Sequence, residues 1–342
     1  MKRSITSALW LTGGLALGAG LLWYSLRSVS LIGVLGLVRE AQASYMLFAV
    51  ALSLAFVAVK TQRWVILLRP VRPLTFSELH SPVYAGSAAN LALSHAGELV
   101  RARMIDRRRG LSASTVLASI GLERVLDMLA MLVLLGYLFI AGGGHLTDSL
   151  AAAARVAAGL SFVTATMVLS VVLWPDRWAG LIARATAWAP AGSRAWIARH
   201  FNAAVEGLNT IKSPARVLQL VAMSLLQWST IAASIWCCMR SVGIVPEATA
   251  PVAVLVLLVI GLTLPTAPAY LGTTQLAFTA ALGVFGVMED AAFAASALYT
   301  ACVVMPVFLI GAGCLLRYLA PGASRNLVPA QPGEPRPTAL HR

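Results

Sequence analysis

Glu123, Arg124 and Asp127 place three ionisable side chains within five residues of an otherwise apolar run, "GLERVLDML". The run lies inside the stretch 112–141, which is long and apolar enough to cross a membrane, so the three charges fall near mid-bilayer. A charge at that depth costs at least about 2.5 kcal/mol even on the mildest insertion scale. On a helix Glu123 and Asp127 share a face at i,i+4, and Arg124 and Asp127 are neighbours at i,i+3 that can pair. Two uses fit: a structural ion pair that ties helices together, or a polar lining for a headgroup or a proton. Three charges exceed what one structural pair requires, which favours the lining.

A related constellation precedes it in "SHAGELVRARMIDRRRG", residues 94–110. An apolar stretch breaks at Ser94-His95-Ala96-Gly97, continues through Glu98, and reaches Arg101, Arg103, Arg107, Arg108 and Arg109. Glu98 and Arg101 form a second i,i+3 pair just past the break. His95 is either a hydrogen-bonded packing residue or a proton carrier. The cluster Arg107 to Arg109 reads as a topology anchor touching anionic lipid headgroups. Farther on, "LPTAPAYLGTTQ", residues 264–275, breaks another apolar stretch at Pro265 and Pro268. Thr266, Tyr270, Thr273, Thr274 and Gln275 supply neutral polar groups there.

The elements that carry these residues follow from hydropathy. The chain of 342 residues is 59% hydrophobic and 11% charged, where soluble domains carry roughly a quarter charged residues. Several windows of about 20 apolar residues indicate an all-α polytopic membrane protein, and the alternating pattern of an outer-membrane barrel is absent. The net charge of +13 fits basic cytoplasmic loops and anionic headgroups better than nucleic acid. Cys237, Cys238, Cys302 and Cys314 lie in apolar segments and read as packing residues.

Six spans are expected, at 5–25, 44–62, 112–141, 149–174, 214–240 and 291–318. An outer connection covers 27–43, an amphipathic cytoplasmic segment 176–213 and a disordered tail 319–342. Lys60, Arg63, Arg69 and Arg72 read as the cytoplasmic anchor that closes the second span. Arginines at both ends of 75–109 put both ends on the cytoplasmic side, which requires a re-entrant hairpin; 250–288 forms another from the opposite side. Span, hairpin and span then recur at 44–141 and 214–318 in opposite orientation, the inverted repeat of many secondary transporters. Both termini are expected in the cytoplasm, with the chain in the inner (plasma) membrane.

Catalytic signatures are not found: there is no phosphate loop, no GxSxG and no HExxH, so no enzyme activity, metal or cofactor is expected. "SHAGELVRARMIDRRRGLSASTVLASIGLERVLDML" (94–129) resembles the signature of the lysylphosphatidylglycerol synthase transmembrane region family, flippase-like integral membrane proteins. Gly97, Glu98, Arg101, Gly110, Ser112, Glu123, Arg124 and Asp127 fall on its pattern. "LPTAPAYLGTTQLAFTAALGVFGV" (264–287) resembles the family's second motif, on which Pro265 and Gly272 fit. Gln275 departs from it, standing where the family usually has Glu, and so removes a titratable group. Bifunctional members append a soluble aminoacyl-transfer domain, and this chain ends in a short tail, so synthase activity is not expected.

The resemblance implies movement of a membrane lipid between leaflets. The headgroup would bind in a cavity lined by Gly97, Glu98, Arg101, Glu123, Arg124, Asp127, Gly272 and Gln275, with His95 beside it. An accessory subunit of a lipid or glycan-lipid biosynthetic enzyme, binding lipid without moving it, is the alternative from a different class.

Overall fold

Helices form because apolar residues persist over runs too long for strands and because a backbone in lipid must satisfy its own hydrogen bonds. The computed structural model describes residues 16–92, 96–109, 111, 113–142, 148–208, 214–262 and 268–320, and its regular elements are all helical. In chain order they are α1 (Ala16–Leu26), α2 (Leu31–Arg39), α3 (Ala43–Leu68), α4 (Phe76–Ala92), α5 (Ala96–Arg109), α6 (Ala113–Ala141) and α7 (Asp148–Leu173). There follow α8 (Pro175–Ala185), α9 (Ala191–Leu208), α10 (Pro214–Ser241), α11 (Ala250–Leu262), α12 (Thr273–Val284), α13 (Glu289–Tyr299) and α14 (Met305–Leu319).

Among the described residues, four helices are long and apolar enough to cross a membrane: α3, α6, α10 and the continuous run Glu289–Leu319. The pair α1 and α2, bent by 86°, makes a fifth if counted as one span. Helix α7, where the sequence places a further span, is 26 residues long. The bend between α1 and α2 falls where the sequence places a connection after the first span, and Ser30 caps α2 there by accepting the Gly33 amide at 3.2 Å.

Two pairs of shorter helices fold back on themselves. Helix α4 packs along α5, with Asn90 beside Gly97 and Gly86 beside Arg101, so the two run antiparallel. Small residues make this approach possible. A Cβ on Gly97 would collide with the Gly86 carbonyl oxygen, and one on Gly311 of α14 would collide with the Tyr84 carbonyl oxygen on the other side of α4. Close backbone approach through small residues is the usual way to hold helices together where lipid removes the hydrophobic drive between them. Helices α11 and α12 pair likewise, with Gly261 against Thr273.

Among the further contacts, α3 packs along α10, and α4 along α14. Between α13 and α14 the backbone widens into one π turn, Thr300–Val304, whose C-terminal Met305 amide donates to the Thr300 carbonyl. Pro306, which has no amide to donate, follows directly and accounts for the interruption. Helix α8 carries Arg177 and Arg184 with Trp178, Leu181 and Ile182 on one amphipathic turn pattern, and none of its residues is buried.

Candidate functional site

Helix α3 does not stop at its basic residues. After Arg63 the apolar run Trp64-Val65-Ile66-Leu67-Leu68 carries the helix on, so Lys60 and Arg63, one turn apart, lie inside it. This corrects their reading as a cytoplasmic anchor. The Arg63 side chain is 0% exposed. Its Nη1 donates to Asp127 Oδ1 and to Ser224 Oγ, both at 2.7 Å, and its Nη2 lies 3.4 Å from Glu123 Oε1. Lys60 Nζ lies 3.3 Å from the same Glu123 oxygen. From α5, Arg101 Nη2 donates to Glu123 Oε2 at 2.8 Å, and its guanidinium stacks 3.9 Å over the Trp64 ring. Trp228 Nε1 on α10 donates to Asp127 Oδ1 at 3.2 Å. Glu123 and Asp127, on the shared α6 face that their spacing requires, therefore meet cations from α3 and α5 and an indole from α10.

The i,i+3 partners expected within each helix are exchanged across helices. Arg124 on α6 donates to Glu98 Oε1 of α5 at 2.5 Å, while Arg101 of α5 takes Glu123 of α6. Spacing along one helix says which side chains share a face; the neighbouring helix offered better-placed partners. Asn90 joins the group by accepting the Gly97 amide at 2.7 Å, which caps the first turn of α5 from the end of α4. Glu98 Oε2 is buried without a hydrogen-bond partner among the described residues.

The second interruption is built differently. Gly272 has φ of 84°, a left-handed conformation, and a Cβ there would run into the Gly18 carbonyl of α1, so only glycine fits. Gln275 accepts the Gly272 amide through Oε1 at 2.7 Å, capping its own helix α12. It is buried, and its carboxamide serves the backbone. Ala269 and Tyr270, with φ of 56° and 55°, are also left-handed, a conformation that costs a non-glycine residue about 1–2 kcal/mol. From that strained turn the Tyr270 hydroxyl donates to the Asn90 carbonyl at 3.5 Å, so the broken ends of the two hairpins touch. Strain of this kind is concentrated at functional sites.

A cavity of ≈ 260 Å³ lies where these parts converge. Lys60, Arg124 and Asp127 contribute charge to its lining, Ser53, Ser87, Asn90, Gln227 and Thr274 contribute neutral polar groups, and leucines and valines of α11 and the π-turn region contribute apolar surface. Of the residues singled out in the sequence for the two interruptions and the charged run, Arg124, Asp127, Tyr270 and Thr274 line this cavity. Glu123, Arg101 and Glu98 are bonded to its lining residues or their neighbours, Gly97 and Gly272 permit close backbone approach, and Gln275 is a cap. His95 lies outside the described residues. The sequence reading missed Lys60, Arg63, Gln227 and Trp228. The apolar continuation past Arg63 was the signal for the first two; nothing in one sequence marks which face of α10 turns inward.

The family model for the lysylphosphatidylglycerol synthase TM region matches residues 11–311 of the chain. The chain belongs to this family. Comparison with curated proteins and with solved structures found no match. The match spans every element that builds the cavity and both interrupted segments, so the membership rests on the whole site rather than on one motif.

Proposed function

We propose that this member of the lysylphosphatidylglycerol synthase TM region family is a transporter that moves the head of a membrane amphiphile between leaflets without chemical change. The observation that carries the reading is the cavity itself: charged, hydrogen-bonding and apolar side chains line one space at the meeting of two interrupted helix pairs. A polar head crossing a bilayer meets its main barrier in hydrocarbon, and a polar intramembrane lining lowers that barrier while the acyl chains stay in lipid. The hairpins α4–α5 and α11–α12 enter the membrane from opposite faces in this reading and return without crossing. With α3, α6, α10 and α13–α14 they form two inverted halves, and with α1 and α7 there are six spans and cytoplasmic termini. Residues that hold the cavity wall by ion pairs act by positioning, with Glu123 fixing Lys60 and Glu98 fixing Arg124.

The test is leaflet transfer of labelled lipids in liposomes reconstituted with the purified chain, beside a folded Glu123→Gln/Asp127→Asn variant. Transfer by the wild type that the variant loses supports transport through this wall. Absence of transfer for every head tested, with the protein folded, removes the transport reading in favour of a lipid-binding accessory subunit.

A further inference from the structure

Helix α8 spans 11 residues and buries none of them. Isolated helices shorter than about 12–15 residues are marginal in water, so α8 needs cover from outside itself. The chain supplies cover on one side. Trp178 Nε1 donates to Ser170 Oγ of α7 at 3.1 Å, and Ile182 and Ala183 face Ala195 and Phe201 of α9 around a cavity of ≈ 400 Å³.

The other apolar side faces outward. Trp174 at the N-cap and Leu181 two turns on lie on one stripe and are 49% and 55% exposed; Trp188, in the turn that follows the helix, is 87% exposed. A row of cations runs beside this stripe. Arg177 and Arg184 have the same seven-residue spacing and are exposed, and the Arg177 guanidinium carbon lies 5.8 Å from the centre of the Trp174 ring. Between residues 174 and 194, Arg177, Arg184 and Arg194 stand against a single acid, Asp176.

Indoles and leucine edged by arginine suit a helix lying in the plane of a bilayer surface, with rings at headgroup level and guanidinium groups on phosphates. The position of α8 agrees. Helix α7, read as a span, has 26 residues, about 39 Å at the helical rise, which exceeds the roughly 30 Å hydrocarbon core. Helix α8 begins two residues after α7 ends, so it starts among headgroups. A protein partner would have to bring an acidic surface to this place; an anionic leaflet is already there.

We propose that α8 is an interfacial helix that seats Trp174, Leu181 and Trp188 in the bilayer surface, and that anionic lipid headgroups paired with Arg177 and Arg184 hold it there. This surface is distinct from the transport cavity, whose lining includes no residue of α8. The inference goes beyond the transport reading and stands without it.

The experiment is spin labelling of the full chain in liposomes of phosphatidylcholine, alone or mixed equally with phosphatidylglycerol. One nitroxide is placed at Leu181→Cys in the stripe. Another is placed at Gly180→Cys, about 100° around the helix toward the polar face. The chain without an introduced cysteine, labelled in parallel, supplies the background from the native cysteines. In the mixed vesicles the label at 181 should collide mainly with oxygen, which concentrates in lipid, and the label at 180 with a water-soluble nickel chelate. Each arginine near an anionic surface strengthens attachment about fivefold. The ratio of attached to free label at 181 should therefore fall about fivefold for Arg177→Gln or Arg184→Gln, and about 25-fold for both or in phosphatidylcholine alone.

Equal nickel access at 180 and 181 overturns the proposal by leaving the stripe in water. A label at 181 that neither reagent reaches overturns it in favour of a protein partner. Oxygen preference of the same size in both kinds of vesicle overturns the part given to anionic headgroups. These comparisons use exposed positions on a chain that keeps its arginines, so they decide the matter even if the arginine variants fold poorly. Leaflet transfer plays no part in the readout, so failure of the transport reading leaves this inference standing, and the reverse also holds.

Discussion

Replacing Arg63 with methionine deletes the one charge that enters the site with no exposed surface. Its loss falls unevenly on the carboxylates. Glu123 keeps Arg101 at 2.8 Å and Lys60 at 3.3 Å, but among the described residues Asp127 keeps only the Trp228 indole at 3.2 Å. Removing one partner of a buried pair costs about 3–5 kcal/mol, because the other charge stays buried and uncompensated. The expected loss for Arg63→Met is therefore in that range, almost all of it through Asp127. Adding Asp127→Leu to the same chain removes the stranded carboxylate. Replacing a whole buried pair by apolar residues is often close to neutral, offset here by the unpaired Trp228 N–H at about 1–3 kcal/mol. The double variant should thus recover roughly half of the loss or more. Reversible unfolding in mixed micelles measures both, and the double-mutant cycle isolates the coupling. A cost below about 1 kcal/mol for Arg63→Met, or no recovery in the double variant, would refute the view that Arg63 and Asp127 form one buried unit.

Three further outcomes follow from the same geometry. Gly97→Ala sets a methyl group against the Gly86 carbonyl and the Asn90 side chain, so α4 and α5 must separate. Cysteine cross-linking between them should drop and stability fall by about 1–3 kcal/mol, the range for overpacking. Ala269→Gly relieves a left-handed residue, and unfolding should show a gain of about 1 kcal/mol. Gln275→Glu keeps an acceptor for the Gly272 amide, so at neutral pH the thermal midpoint should stay near that of the wild type; a large drop would show that the cap is not what Gln275 does.

The all-helical architecture and the two interruptions were legible because both leave direct marks in one dimension: long apolar runs for the first, and Gly97 and Pro265 with Pro268 for the second. The inward face of α6 was legible too, since Glu123 and Asp127 one turn apart at mid-span must meet partners. The partners were not. Lys60 and Arg63 read as loop charges because basic residues at the end of an apolar stretch are the common sign of a cytoplasmic boundary; only the packing of α3 against α10 shows them enclosed. The exchange that pairs Arg124 with Glu98 and Arg101 with Glu123 depends on the approach of α5 to α6, which no spacing within either helix encodes. Gln275 drew attention through its polarity at depth. The Gly-x-x-Gln spacing of a helix cap accounts for it more simply.

The central claim is that a head passes through the cavity, and blocking that space tests it most directly. Ser87 lines the cavity, and Ser87→Cys offers a thiol there for a bulky methanethiosulfonate reagent that reducing agents remove. Leaflet transfer in reconstituted liposomes should stop on modification and return on reduction, while modification of a Leu181→Cys control on exposed α8 should leave it unchanged. Transfer that continues at the unmodified rate with the Ser87→Cys site fully labelled would contradict the account.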